Sequence, residues 1–245
     1  MKTDHYNLHG VSLLDYFNGD TSATIAVYGE LVPRREVPVR LFFREPADFP
    51  MLEKRAVELC RGRVLDIGAG AGCHSLALQD RGSSVLAIDF LPECVEVMKG
   101  RGVREALCAN IHTFQSAPFD TLLSLMNGTA MVKDLAGLQT FLRDIRRLLK
   151  PGGQFLVDST DMRQVAAPGI QAYLEEKRHR GEYFGEMNLQ LEYKGRRGAP
   201  FTQLYVDAET LADHASQAGW DCEIIERDES GRYLARLNLR HSNNP

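Results

Sequence analysis

One stretch, residues 63–89, constrains the fold of this chain more than any other. An apolar run is followed by glycines at positions 68, 70 and 72, then by a segment with helical spacing, and then by a second apolar run that ends at Asp89. This order predicts a β-α-β unit. Glycine lacks a Cβ and adopts positive φ readily, so a ligand can lie directly against this turn. An acid at the end of the second strand is placed to accept hydrogen bonds from ribose hydroxyls, which predicts an adenosine-containing cofactor.

The spacing of the glycines distinguishes among such cofactors. A dinucleotide-binding turn has the pattern G-x-G-x-x-G, and Cys73 occupies the third glycine position when the count starts at Gly68. Asp66 would place a negative charge beside a pyrophosphate, whereas it would favour a cationic ligand. The stretch resembles motif I of the class I S-adenosylmethionine-dependent methyltransferases. The matching residues are Asp66, Gly68, Gly70, Gly72 and Asp89.

A second segment, residues 148–157, reads L-L-K-P-G-G-Q-F-L-V and resembles the approach to the fifth strand in the same family. The resemblance implies an α/β fold, a Rossmann-like three-layer sandwich. Its sheet would be mostly parallel and seven-stranded, with an antiparallel terminal hairpin. Residues 187–193 and 201–206 alternate around a turn, which predicts an inserted β-hairpin after a helix.

A composition of 44% hydrophobic and 25% charged residues suits one α/β domain of this length, and the resemblance implies that residues 1–245 form a single methyltransferase domain. Residues 1–48 form an N-terminal cover, and 49–158 form the cofactor-binding core. Residues 159–206 form an inserted substrate cap, and 207–240 complete the core.

Two flanking helices bear on the site. Residues 8–20 are predicted to form a short amphipathic helix that is stopped by a turn at residues 18–20 and lies beside the mouth of the pocket. A helix predicted from Pro50 has apolar residues along one face, which places Glu53 on the outer face.

The resemblance also implies roles for individual residues. Asp66 and the glycine turn would hold the methionine moiety, Asp89 the ribose, and Phe90 one face of the adenine. The third strand usually ends in an acid in this family; Asn110 stands there instead, and its amide oxygen can still accept a hydrogen bond. Arg44 is either a ligand of the cofactor carboxylate or substrate, or a surface arginine beside a core phenylalanine. The predicted cofactor contacts are Arg44, Asp66, Gly68, Ala69, Gly70, Asp89, Phe90, Asn110, Ile111, Met126 and Asn127.

Charge and composition limit the kinds of partner that this chain is expected to bind. A net charge of −4 gives no broad positive field, so we expect no nucleic-acid partner and a small-molecule substrate. The five cysteines lack C-x-x-C spacing and the seven histidines lack metal-binding spacing, which predicts reduced thiols, a cytoplasmic location and no metal site. No signal-like or membrane-length apolar stretch occurs, so we expect no membrane partner. The oligomeric state stays open.

The expected reaction is methyl transfer from S-adenosylmethionine to a small-molecule acceptor by in-line attack on the sulfonium methyl. Alignment of the acceptor supplies much of the catalysis, and a hydroxyl or protonated amine also needs a base. His112, Asp161 and Tyr193 are weak candidates for that base, and their alternative explanations are a solvated loop position, a turn cap and hairpin packing, respectively. The acceptor atom stays open among O, N, C and S.

Three other functions are compatible with parts of the sequence. The chain could be a non-catalytic regulatory protein that binds S-adenosylmethionine or S-adenosylhomocysteine, or a methyltransferase acting on protein or RNA. A nicotinamide oxidoreductase is opposed by Asp66 and Cys73.

Overall fold

The computed structural model describes residues 7–31 and 34–240. The helices are α1 (Asn7–Phe17), α2 (Met51–Leu59), α3 (Cys73–Asp80), α4 (Pro92–Gly100), α5 (Leu135–Ile145), α6 (Ile170–Arg180) and α7 (Ala208–Gln217). The strands are β1 (Thr24–Gly29), β2 (Arg35–Pro38), β3 (Arg63–Ile67), β4 (Ser84–Asp89), β5 (Ala106–Cys108), β6 (Phe119–Ser124), β7 (Leu149–Thr160), β8 (Glu186–Tyr193), β9 (Arg196–Arg197), β10 (Phe201–Leu204), β11 (Trp220–Arg227) and β12 (Arg232–Leu239).

A seven-stranded sheet in the order β11-β12-β7-β6-β3-β4-β5 forms the centre of the molecule. The pairs from β7 to β5 are parallel, while β12 pairs antiparallel with both β7 and β11. This arrangement confirms the predicted mostly parallel sheet with an antiparallel terminal hairpin.

Apolar residues on both faces of the central strands explain why this sheet is buried. In β3, Val64 and Leu65 point to opposite faces, and both are fully buried in different apolar clusters. Helix α5 covers one face with Leu138, Phe141 and Leu142, and the Asp134 carboxylate caps it by accepting a 2.6 Å hydrogen bond from the Gly137 N–H.

A second sheet in the order β10-β8-β1-β2, with β9 paired to β8, is antiparallel throughout. We call it the cap sheet. It contains the predicted hairpin as β8 and β10, but β1 from the N-terminal segment lies against β8, with Ala26 opposite Glu192 and Tyr28 opposite Gln190. The N-terminal cover and the insertion, which we expected as separate elements, therefore share one sheet.

The cap sheet packs with α1 and α6 to form a separate apolar cluster, which includes Leu13, Ile25 and Leu191. The same cluster contains Ala71, from the glycine turn, and Leu91, from the start of α4. The cap is thus anchored on the two core segments that the sequence assigns to the cofactor. No helix among residues 7–31 and 34–240 has the length and apolar character that crossing a bilayer requires.

The first helix ends at Phe17 and the chain turns at Asn18 and Gly19, as the sequence predicted. Two strand boundaries differ from the sequence predictions. The third core strand, predicted over 104–109, is limited to Ala106–Cys108 at the sheet edge. The fifth, predicted over 154–158, extends over Leu149–Thr160, with Leu149 paired to Phe119 of β6 and Ser159 and Thr160 paired to β12.

Truncation of Trp220 tests the packing of the terminal hairpin on the core. The indole is fully buried, donates a 3.0 Å hydrogen bond to the Leu142 carbonyl and lies 6.4 Å from the Phe155 ring centroid. We expect Trp220→Ala to lower the free energy of unfolding by about 3–5 kcal/mol in urea denaturation followed by circular dichroism. The exposed Met51→Ala is the control, with a change within about 0.5 kcal/mol; equal losses in the two variants would contradict this packing.

Candidate active site

The carboxyl ends of β3, β4, β5, β6 and β7 lie at one edge of the central sheet, because these strands are parallel. We call this the cofactor edge. The turns after four of these strands carry most of the predicted cofactor contacts. Those turns are residues 68–72, 89–91, 109–111 and 125–128.

The glycine turn after β3 has the backbone that the sequence predicted. Gly68, Gly70 and Gly72 have φ of 71°, 55° and 79°, in the left-handed region that favours glycine. A Cβ at Gly72 would lie 2.8 Å from Val103 Cγ2, whereas a Cβ at Gly70 would meet no atom within 4 Å. Gly72 therefore permits close helix packing, while Gly70 borders open space.

Asp89 ties this turn to the start of α4. Its Oδ2 accepts a hydrogen bond from the Gly70 N–H and its Oδ1 accepts one from the Leu91 N–H, both at 3.0 Å. The residue is only 7% exposed, and burial raises the pKa of its carboxyl although the backbone N–H groups oppose the rise. A carboxylate of this kind accepts hydrogen bonds from ligand hydroxyls as well as from the main chain.

Asp66 is buried within β3 and accepts a 2.6 Å hydrogen bond from the Ser75 hydroxyl. Burial raises the pKa of this carboxyl, with His74 and Ser75 opposing the rise. The contact fixes the first turn of α3 against β3. A further contact of Asp66 with a methionine moiety stays a prediction.

A charged cluster that the sequence did not reveal lies behind the glycine turn, centred on Glu53. Its side chain is 1% exposed, not on the outer face of α2 as predicted. Its Oε2 lies 2.7 Å from Arg44 Nη2 and 2.9 Å from His74 Nε2, and its Oε1 lies 3.4 Å from Arg232 Nη2. The burial of Glu53 is tolerated because three basic side chains surround it.

Protonation in this cluster follows from its charges. Burial opposes the charged form of His74, but Cys73, Glu53 and Asp66 outweigh it and raise the pKa of the imidazole to about 10. Burial likewise opposes the ionisation of Glu53, and His74 and Arg44 nevertheless lower its pKa. At neutral pH the cluster therefore contains an imidazolium beside a carboxylate.

Two guanidinium groups of this cluster retain buried donors without a protein partner. Arg44 Nε and Arg232 Nε are both inaccessible to solvent and make no hydrogen bond with the described residues. Arg232 Nη2 also lies 3.1 Å from Asp158 Oδ2, at the end of β7. A ligand carboxylate would satisfy such donors.

The turn after β6 is strained. Met126 and Asn127 have φ of 65° and 63°, which non-glycine residues adopt rarely. The turn is held by Thr160, whose hydroxyl donates to Asn127 Oδ1 at 2.6 Å, and by Asp158, whose Oδ1 accepts from the Gly128 N–H at 2.9 Å. Strained backbone that neighbours hold in place occurs frequently at functional sites.

The residues predicted to contact adenine lie after β4 and β5. The Phe90 side chain is 41% exposed, and Ile111 is half-buried against the main core. Asn110 Oδ1 accepts a 3.0 Å hydrogen bond from the His112 N–H, so this oxygen is already engaged within its own turn.

Each candidate base from the sequence has a partner of its own. His112 Nδ1 lies 2.6 Å from Asp144 Oδ2 on an exposed surface. Asp161 accepts hydrogen bonds from the main chain and side chain of Arg163, and the buried Tyr193 donates a 2.9 Å hydrogen bond to Asp15. These contacts give the three residues structural roles, and a catalytic role for them stays a prediction.

Among residues 7–31 and 34–240, no three His, Cys, Asp or Glu side chains converge as metal ligands would.

Comparison with known proteins gives matches at the level of family, sequence and structure. A family model described as a methyltransferase domain matches residues 65–157. A ubiquinone biosynthesis O-methyltransferase of Xylella fastidiosa (strain M23) is 32% identical over 165 residues, which cover 64% of this chain and 61% of that protein. A demethylmenaquinone methyltransferase of Tropheryma whipplei (strain Twist) is 29% identical over 45% of this chain and 47% of its own length. The chain thus matches less than two thirds of the length of these curated relatives.

Similarity to solved structures extends over nearly the whole chain. The CcbJ methyltransferase from Streptomyces caelestis shares the fold, with a TM-score of 0.64 at 14% identity, covering 96% of this chain and 99% of that one. A methyltransferase from Bacteroides fragilis, solved with S-adenosyl-L-homocysteine, has a TM-score of 0.84 and 34% identity and covers 97% of both chains. With this full-length similarity and the matching glycine turn, the chain belongs to the class I S-adenosylmethionine-dependent methyltransferases, whose cofactor is S-adenosylmethionine.

Proposed function

We propose that this protein transfers the methyl group of S-adenosylmethionine to a hydroxyl on a small aromatic molecule. The observation that carries the proposal is the position of the cap. Its apolar cluster includes Ala71, in the turn after β3, and Leu91, in the turn after β4, and both turns belong to the cofactor edge. A cofactor on that edge would be covered by the cap, with the acceptor between them.

We infer a position on the cofactor edge for each part of S-adenosylmethionine. The Asp89 carboxylate accepts from the ribose hydroxyls, and the open side of Gly70 lets the cofactor approach the main chain. Phe90, Asn110 and Ile111 border the adenine, and the unpartnered Arg44 Nε donates to the cofactor carboxylate. Asp66, Gly68, Ala69, Met126 and Asn127 border the methionine moiety.

The acceptor class is supported by the side chains of the cap. Aromatic rings that are only partly buried pack on its apolar cluster, and such rings stack on a flat apolar molecule. These residues are Tyr16, Phe42, Phe43, Phe184 and Tyr205. Of the relatives named above, one is a ubiquinone biosynthesis O-methyltransferase, which supports a hydroxyl as the acceptor, and another is a demethylmenaquinone methyltransferase.

The chain contributes chiefly alignment and exclusion of water. When bound, S-adenosylmethionine supplies a methyl group on a sulfonium, an electrophile that needs no acid catalysis. The strained turn at Met126 and the Asp89 contacts fix one side of the site, and the cap fixes the acceptor from the other. Holding two reactants in line supplies several kcal/mol of the barrier reduction, about 7–11 kcal/mol in the most favourable cases.

Calorimetry followed by a transfer assay tests the proposal. We expect the purified protein to bind S-adenosylmethionine and S-adenosylhomocysteine but not NAD. With methyl-labelled cofactor and fractionated cell extract, we expect label in the small-molecule fraction. Label in protein or RNA would show that the acceptor is a macromolecule rather than a small molecule. Binding of S-adenosylmethionine without formation of S-adenosylhomocysteine would favour a regulatory protein. Failure to bind either sulfur compound would refute the claim that the cofactor edge binds S-adenosylmethionine.

Asp89→Ala tests the ribose contact. The two hydrogen bonds from ribose hydroxyls to a carboxylate are worth about 1.5–3 kcal/mol each, so we expect affinity for S-adenosylhomocysteine to fall on the order of 100-fold or more. Asp80→Ala, which removes an exposed acid at the end of α3, is the matched control and should bind as the unaltered protein does. Unchanged calorimetric affinity in Asp89→Ala would show that the ribose lies elsewhere.

Arg44→Met tests the carboxylate contact separately. Loss of one charged hydrogen bond should lower the affinity for S-adenosylhomocysteine about 10–100-fold. Methylthioadenosine lacks the amino-acid moiety, so its affinity should be the same in the variant and the unaltered protein. An equal loss for both ligands would mean that Arg44 acts through the Glu53 cluster rather than on the carboxylate.

A further inference from the structure

Helix α4 packs against the glycine turn at both of its ends. At its start, the Leu91 N–H shares the Asp89 carboxylate with the Gly70 N–H. Towards its end, a Cβ added to Gly72 would lie 3.0 Å from Met98 Cγ. Close-packed groups move little without displacing their neighbours, so the position of the turn and the position of α4 depend on each other.

Arg101 follows α4 and contacts the glycine turn with its side chain. Its Nη1 donates a 2.6 Å hydrogen bond to the carbonyl oxygen of Ala71, a residue that is only 2% exposed. The main-chain N–H of Arg101 donates to the Val97 carbonyl at the end of α4, so the side chain is not needed to cap the helix. A charged donor holds a carbonyl more strongly than a neutral donor does. The side chain of Arg101 therefore fixes the second half of the turn.

The same guanidinium also contacts the N-terminal segment. The Arg101 Cζ atom lies 4.9 Å from the centroid of the Phe43 ring, within the range of a cation–π contact. The Phe43 ring lies 4.5 Å from the Tyr16 ring of α1, and both rings are partly buried against the apolar cluster of the cap. One side chain thus joins the glycine turn to the cap.

The sequence neighbours of this ring strengthen the connection. The Phe42 ring contacts the His9 ring of α1 edge-on, with centroids 4.8 Å apart, and Arg44 Nη2 lies 2.7 Å from Glu53 Oε2 of α2. We call residues 42–44 the linking segment. Its side chains contact the cap on one side and the core on the other, so its position depends on both.

We propose that Arg101 is a positioning residue that couples cofactor binding at the glycine turn to the order of the cap. This inference rests on the cofactor edge as the binding site and is independent of the class of acceptor. A cofactor bound against Gly70 restricts the turn, and the hydrogen bond to Ala71 extends that restriction through Arg101 to the linking segment and α1. The coupling is reciprocal, because a cap held by Arg101 also raises the affinity for the cofactor. The acceptor site is therefore best formed when the cofactor is already bound.

Hydrogen exchange followed by mass spectrometry tests the coupling, with S-adenosylhomocysteine as the probe at saturating concentration. Arg101→Met is compared with Arg104→Met, a matched control because Arg104 is exposed and its side chain has no hydrogen bond or ion pair with the described residues. In the unaltered protein and in Arg104→Met, we expect the ligand to slow exchange in the glycine turn, in the linking segment and in α1. In Arg101→Met the slowing should be confined to the turn and residues 89–91.

Affinity gives a second readout. Loss of the coupling in Arg101→Met should lower the calorimetric affinity for S-adenosylhomocysteine on the order of 10-fold, with no change in Arg104→Met. Phe43→Leu removes the ring but keeps an apolar side chain, and we expect a similar loss. Because both substitutions act through one contact, the double variant should lose less than the product of the two single losses.

Three results would overturn the proposal and leave the cofactor edge intact. They are an absence of slowing in α1 of the unaltered protein, the same pattern of slowing in Arg101→Met and Arg104→Met, and single losses that multiply in the double variant. If the unaltered protein does not bind S-adenosylhomocysteine, the cofactor edge is wrong and the role of Arg101 falls with it. If Arg101→Met does not fold, Phe43→Leu answers the same question by exchange, since unchanged slowing of α1 there would show that the ring contact carries no coupling.

Discussion

The Asp89 carboxylate holds the cofactor edge together by accepting hydrogen bonds from Gly70 and Leu91. These N–H groups belong to different β-α connections, so one side chain fixes the glycine turn relative to the first turn of α4. The glycine turn is fixed from the other side as well, because Gly68 and Ala69 donate to the Ile88 carbonyl. Burial penalises the charge on Asp89, and ligand hydroxyls that donate to it would offset part of that penalty. The residue to which we assign the ribose contact is thus also the one that organises the local backbone.

The cap depends on that same region although its strands come from opposite parts of the chain. Pairing of β1 with β8 joins the N-terminal segment to the insertion, and the resulting apolar cluster extends to Ala71 and Leu91. Helix α1 adds a third connection because it lies along α4. In the proposed function, the acceptor lies between the aromatic rings of the cap and the cofactor edge. Differences in the cap could therefore change the acceptor without disturbing the cofactor edge.

Local patterns were sufficient to predict the core. The β-α-β unit around Gly68 and Asp89 and the alternation of strands and helices through Asp158 depend on neighbours in sequence, and the structure has them as predicted. The partnership of β1 with β8 could not be predicted, since nothing local specifies which strand covers an exposed sheet edge. Glu53 was misplaced for a similar reason: its helix pattern favours the outer face, while its basic partners come from α3, β12 and the segment before α2.

A crystal structure of this protein with S-adenosylhomocysteine tests the central claim most directly. The account predicts both ribose hydroxyls within hydrogen-bonding distance of the Asp89 carboxylate, the adenine beside Phe90, and the sulfur facing the space beneath the cap. A nucleoside bound away from Asp89, or a sulfur that faces bulk solvent rather than the cap, would contradict it.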